Sequence, residues 1–139
     1  MFEELGEFFG WLLVIAFGGS IMNYCLKFIN KRFGKSISEN SYGKKIMKLL
    51  MTIFVRNHKY FGFATIVFLI THVIIQFSKF GINFTGLIAA VILISEVLLG
   101  IYANLKKKPR KGIWFITHRI FSILLIIGIA VHVIAPNAL

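Results

Sequence analysis

The sequence predicts an all-α fold: one transmembrane four-helix bundle over residues 1–139, with a short amphipathic helix at the membrane surface. Three observations predict it. Hydrophobic residues make up 58% of the chain and mean hydropathy is +0.82, which excludes an ordinary soluble domain. Four apolar runs follow one another, each of about 20 residues or more, the length a hydrocarbon core requires. Fifteen of the 16 Lys and Arg fall in two stretches, residues 27–59 and 106–119, which separate alternate runs.

The runs cover residues 5–28, 53–77, 84–105 and 113–135. In lipid each must be a helix, because backbone groups find no water there. The opening MFEELGEFFGWLLVIAFGG has no basic n-region and no clear small-residue cleavage site. It reads as the start of the first span rather than a removed leader. The segment NKRFGKSISENSYGKK is polar, carries Gly34 and Gly43, and is expected to be a loop. Asn40 or Ser41 is placed to cap the amphipathic KKIMKLLMTIFVRN, expected to lie at the interface before the second span. SKFGINFT is a short turn around Gly81. KKKPRKG combines charge with Pro109 and Gly112 and should stop the helices on both sides.

Orientation follows from the basic residues. Nine lie in residues 27–59, six in 106–119, and only Lys79 in the turn near Gly81. The rule that positive loops stay inside makes the first two stretches cytoplasmic and leaves both termini outside. Glu3, Glu4 and Glu7 suit an outer end. The net charge of +11 is then a topology signal. Without a reading motif it does not point to nucleic acid. The basic face can dock an acidic partner or anionic lipid. These features place the chain in a cytoplasmic (plasma) membrane as a multi-pass protein. The abundance of Ile, Lys, Phe and Asn suits an AT-rich bacterial genome. Cys25 is the single cysteine, so neither an internal disulfide nor a Cys-x-x-Cys-His attachment site for c-type haem exists.

All four histidines sit at the ends of two equal segments, HKYFGFATIVFLITH (58–72) and HRIFSILLIIGIAVH (118–132). Residues 14 apart fall within about 40° of one helix face and roughly 21 Å apart along the axis. The second and fourth spans run in the same direction, so His58 is level with His118, and His72 with His132. Two imidazole pairs at two depths suit axial ligation of two haems, each between two helices. Small residues one turn from a ligand leave room for the ring: Gly62, Ser122 and Gly128, with Phe68 in the fourth such place. Histidines can also bond neighbouring helices, relay protons or bind a bare metal ion. A relay does not require two copies at one spacing, and zinc wants clustered ligands.

The pattern resembles the membrane di-haem b-type cytochromes. It also resembles the haem-bearing core of ferric reductase and NADPH oxidase-like proteins, in which two helices each carry two histidines 13 or 14 residues apart. The resemblance covers the second to fourth spans and rests on His58, His72, His118 and His132, with Gly62 nearby. It implies two non-covalent haem b groups ligated by these histidines. Several families share the spacing, so the resemblance does not choose a substrate. The chain differs from the reductases in having four spans and no room for a flavin- or nucleotide-binding domain.

Three further positions bear on function. Glu96 is the only acidic residue in the middle of a span. Such a carboxylate is costly in lipid; it can hydrogen-bond a helix, contact a haem ligand or serve a quinone. Arg56 and Arg119, like Lys59, flank the inner histidines. They can pair with haem propionates or snorkel to headgroups. The expected function is transmembrane electron transfer between a quinol or cytoplasmic donor and an acceptor across the membrane. Partners would be a donor or acceptor protein or a quinone. The alternative is the quinone-reactive membrane anchor of a larger oxidoreductase complex. A third reading is a haem-free proton or ion transporter.

Overall fold

The computed structural model describes residues 2–136, with side chains described from Glu4 onward. Every regular element among them is helical: α1 (Phe2–Glu39), α2 (Ser41–Leu50), a π-helical turn (Met51–Arg56), α3 (His58–Phe80), α4 (Phe84–Leu105) and α5 (Ile113–Ile134). Four of these, α1, α3, α4 and α5, are long and apolar enough to cross a membrane. This is the architecture of a multi-pass membrane protein.

Breakers lie where the helices end. Both prolines are outside helices, Pro109 in the link after α4 and Pro136 just past α5. Gly81 and Gly112 turn the chain with φ of 76° and 87°, values that suit glycine. Asn83 caps α4, its side-chain oxygen accepting from the Gly86 N–H at 3.0 Å.

One expected loop is not a loop. Residues 30–39 continue α1 to Glu39, and only Asn40 interrupts the helix. The segment is polar, but its Lys, Arg, Ser and Ile all tolerate a helix, and Gly34 costs only about 1 kcal/mol. Polarity ended the apolar run without ending the helix. Asn40 makes the break, its side chain accepting from the N–H groups of Tyr42 and Gly43 to cap α2.

The chain divides into two compact units. The first comprises Phe8–Phe68. There α1 buries Leu13, Ala16, Phe17 and Leu26, and α3 buries Thr65. The Phe61 ring lies over Gly19, where a methyl group would come within 2.5 Å of it. Phe61 also stacks on Phe54, with ring centres 5.5 Å apart. The second comprises Met1–Glu7 with Leu69–Leu139. Its centre is the α4–α5 pair. Thr85, Ala89, Ala90, Leu93, Glu96 and Ala103 form the buried stripe of α4. Small residues let the two backbones approach, as they do between membrane helices: Gly128 of α5 stands over Ala89.

Candidate functional site

In the second unit, α3 and α5 bring His72 and His132 together. Their ring centres are 6.4 Å apart and their planes are nearly perpendicular, at 82°. A metal–imidazole bond is about 2 Å and a ring nitrogen sits about 1 Å from its ring centre, so imidazoles on opposite sides of one ion have centres roughly 6 Å apart. The spacing therefore suits a shared metal.

Each ring is held from behind by its other nitrogen. His72 Nδ1 lies 2.9 Å from the Gly6 carbonyl of α1. A carbonyl only accepts, so the proton is on Nδ1 and the lone pair on Nε2. His132 Nδ1 lies 3.0 Å from Thr85 Oγ1. The Thr85 hydroxyl has one proton, which goes to Asn83 Oδ1 at 2.6 Å or to the Pro136 carbonyl at 3.1 Å. It accepts the His132 Nδ1–H, which again leaves the lone pair on Nε2. This tautomer with a fixed outer hydrogen bond is the usual state of a metal-binding histidine. Gly86 makes room for it: a methyl group there would sit 2.8 Å from His132 Cε1.

In the first unit, His58 repeats the pattern. Its Nδ1 donates to the Ser20 carbonyl at 3.2 Å. Gly62, one turn further on, faces open space, with nothing within 4 Å of a methyl group added to it. A flat ring can lie along that side of α3.

His118 has a different neighbourhood. Its Nε2 lies 3.9 Å from Glu96 Oε1. Ser122 Oγ lies within hydrogen-bond reach of that same carboxylate oxygen and of the His118 carbonyl, the latter at 3.0 Å, and its one proton serves one of them at a time. Of the roles open to Glu96, the geometry supplies an interhelical hydrogen bond and a position beside a histidine. Glu96 Oε2 is buried without a hydrogen-bond partner. Gly100 faces His118, with 3.9 Å between a built methyl carbon and Cε1. Arg56 and Arg119 are exposed, and the Arg119 guanidinium lies 5.8 Å above the Phe115 ring.

Sequence reasoning missed the helices behind the histidines. On α1, the carbonyls of Gly6 and Ser20 serve His72 and His58. On α4, Gly86 and Gly100 face His132 and His118. Both supporting pairs are themselves 14 residues apart. Small residues at the ligand spacing on the two other spans were the readable signal. The midpoints of the two histidine segments, Thr65 and Leu125, are the most deeply buried side chains among the described residues, each 1% exposed.

Among the described residues, no group of three or more His, Cys, Asp or Glu is placed to hold a metal ion. A two-histidine donor set suits a metal that brings its own equatorial ligands. Comparison with protein-family models, curated proteins and solved structures finds no match to this chain.

Proposed function

We propose that the chain carries electrons across a cytoplasmic membrane and holds two non-covalent b-type haems, one between His72 and His132 and one between His58 and His118. The observation that carries this reading is the His72–His132 pair, 6.4 Å between ring centres with both Nδ1 atoms hydrogen-bonded from behind. A haem with two axial histidines supplies one-electron transfer and leaves no open position for oxygen. The chain's own work is to hold. Gly6, Ser20 and Thr85 fix the tautomers, Gly86 admits the His132 ring, and Gly62 leaves a face of α3 clear. Arg56 and Arg119 are proposed to meet the propionates at the basic end. Both termini are proposed to lie outside, where an inside-negative potential assists outward electron flow by about 2.3 kcal/mol per 100 mV.

Glu96 favours a second reading, in which the chain is the quinone-reactive anchor of a larger oxidoreductase. A buried carboxylate oxygen with no hydrogen-bond partner, beside His118, is where a quinone proton can be exchanged.

The test is the visible spectrum of purified protein from haem-replete cells. Two haems per chain, low-spin and extractable into acidified organic solvent, are expected. A folded but colourless preparation overturns both readings. In sealed vesicles a trapped quinol should reduce an impermeant acceptor outside, and NADH alone should not.

A further inference from the structure

The first unit contains a helical hairpin to which the proposed function gives no role beyond Arg56 at its base. Its arms are the end of α1 and the stretch from Ser41 to Arg56, joined at Asn40. One end is tied where His58 Nδ1 meets the Ser20 carbonyl at 3.2 Å. The other is tied where Gly43 approaches Ile37, whose carbonyl oxygen would lie 3.1 Å from a methyl group at Gly43.

These two ties decide the direction of α2. Ser20 and Ile37 are roughly 26 Å apart along α1, and the 15 residues from Gly43 to His58 reach roughly 22 Å as helix. Side chains close the small remainder. The returning arm must therefore run nearly straight beside α1 and cannot lie across its axis. Taking Thr65 as the bilayer centre, Leu49 stands about 24 Å out and Tyr42 about 34 Å out. A bilayer with its headgroups extends only about 20–22 Å from its centre. On that placement the hairpin projects beyond the headgroups.

Its surface is of two kinds. Between residues 27 and 56 there are eight basic residues and a single acidic one, Glu39. On α2, Lys44, Lys45 and Lys48 take one arc of the helix. Tyr42, Ile46 and Leu49 take the other, and are 72%, 40% and 58% exposed. No residue of α2 is buried. An apolar stripe flanked by lysines, held clear of the headgroups, suits a protein partner better than lipid.

We propose that this hairpin is a docking surface for a soluble cytoplasmic protein with an apolar patch ringed by carboxylates. The proposal rests on the sidedness proposed above and uses His58 only as a tie to the Ser20 carbonyl, so it does not require that a haem be bound. It differs from the interfacial placement that the sequence of α2 suggests, because the ties at Ser20 and Ile37 hold the helix upright.

The test uses the full chain in nanodiscs of neutral phosphatidylcholine. The probe is a fluorescent helical peptide with glutamates around a Leu/Phe stripe. Saturable binding that weakens with salt is expected. K44E/K45E/K48E should weaken it at least tenfold, as should K44Q/K45Q/K48Q if reversal perturbs folding. Y42S/I46S/L49S should also weaken it tenfold, which mere charge attraction would not produce. Unchanged binding in either set overturns the proposal. A spin label at Leu49, after Cys25→Ser, should relax with a water-soluble nickel complex. If it relaxes instead with lipid-dissolved oxygen in discs containing phosphatidylglycerol, the occupant is the membrane and the proposal fails.

Discussion

The two ends of the histidine segments are built differently. At the 72/132 end, neutral groups hold the rings: a backbone carbonyl behind His72 and a threonine hydroxyl behind His132. At the 58/118 end, His58 again has a carbonyl, but His118 has a carboxylate 3.9 Å from its Nε2. Equal histidine spacing thus does not mean equal environment. Second-shell hydrogen bonds and nearby charge are what tune a bound metal. In the proposed function, the two positions would differ in potential although their ligands are the same.

In the proposed function the largest effect comes from the four histidines. His72→Ala and His132→Ala should each remove one haem of two and leave the same surviving spectrum. His58→Ala and His118→Ala should leave the other one. Redox titration of the four variants checks this, and a match between His58→Ala and His132→Ala would break the pairing. Transmembrane electron flow should collapse in all four, because the two positions act in series.

Next come the glycines behind the rings. Gly86→Val should cost most of the occupancy at the 72/132 position, since its Cβ alone would be 2.8 Å from His132 Cε1. Gly100→Ala should be mild, because its methyl would meet His118 Cε1 at 3.9 Å, an ordinary contact. Haem content per chain separates them, and equal losses would mean that the glycines matter only for helix packing.

Thr85→Val keeps the shape and removes the acceptor behind His132. A lost second-shell partner typically lowers metal affinity about 10–100-fold. Haem retention under dilution should fall by that order at the 72/132 position alone, and Thr85→Ser should restore it. If the valine variant retains haem normally, Thr85 does not set the His132 tautomer.

Glu96→Gln should have the smallest effect on haem content, as an amide can still bond Ser122. The midpoint potential of the 58/118 position should move while the 72/132 position stays. If quinol-driven transfer alone is abolished, the anchor reading is favoured. If haem content falls sharply, Glu96 is a structural bond between α4 and α5.

The spans were legible because apolar length is a one-dimensional property. The run 84–105 is α4 to the residue, and 113–135 is α5 within one residue, with Gly112 and Pro136 as stops. The loop after the first span was misread because polarity and helix termination are separate properties, and only Asn40 supplies the second. Asn83, just ahead of an apolar run, is a cap signal that the sequence does carry.

By itself the sequence determined an all-helical chain with four membrane-length helices and two histidine pairs on two helix faces. Periodicity and hydropathy are local, so one strand of sequence carries them. Only the tertiary structure decided which groups stand behind each ring. Gly6 and His72 are 66 residues apart, and Thr85 and His132 are 47 apart. A carbonyl acceptor also has no residue type, since every residue offers one. The direction of α2 was decided in the same way. Its start beside Ile37, across the turn at Asn40, and the hydrogen bond from His58 to the Ser20 carbonyl, across 38 residues, set its course along α1.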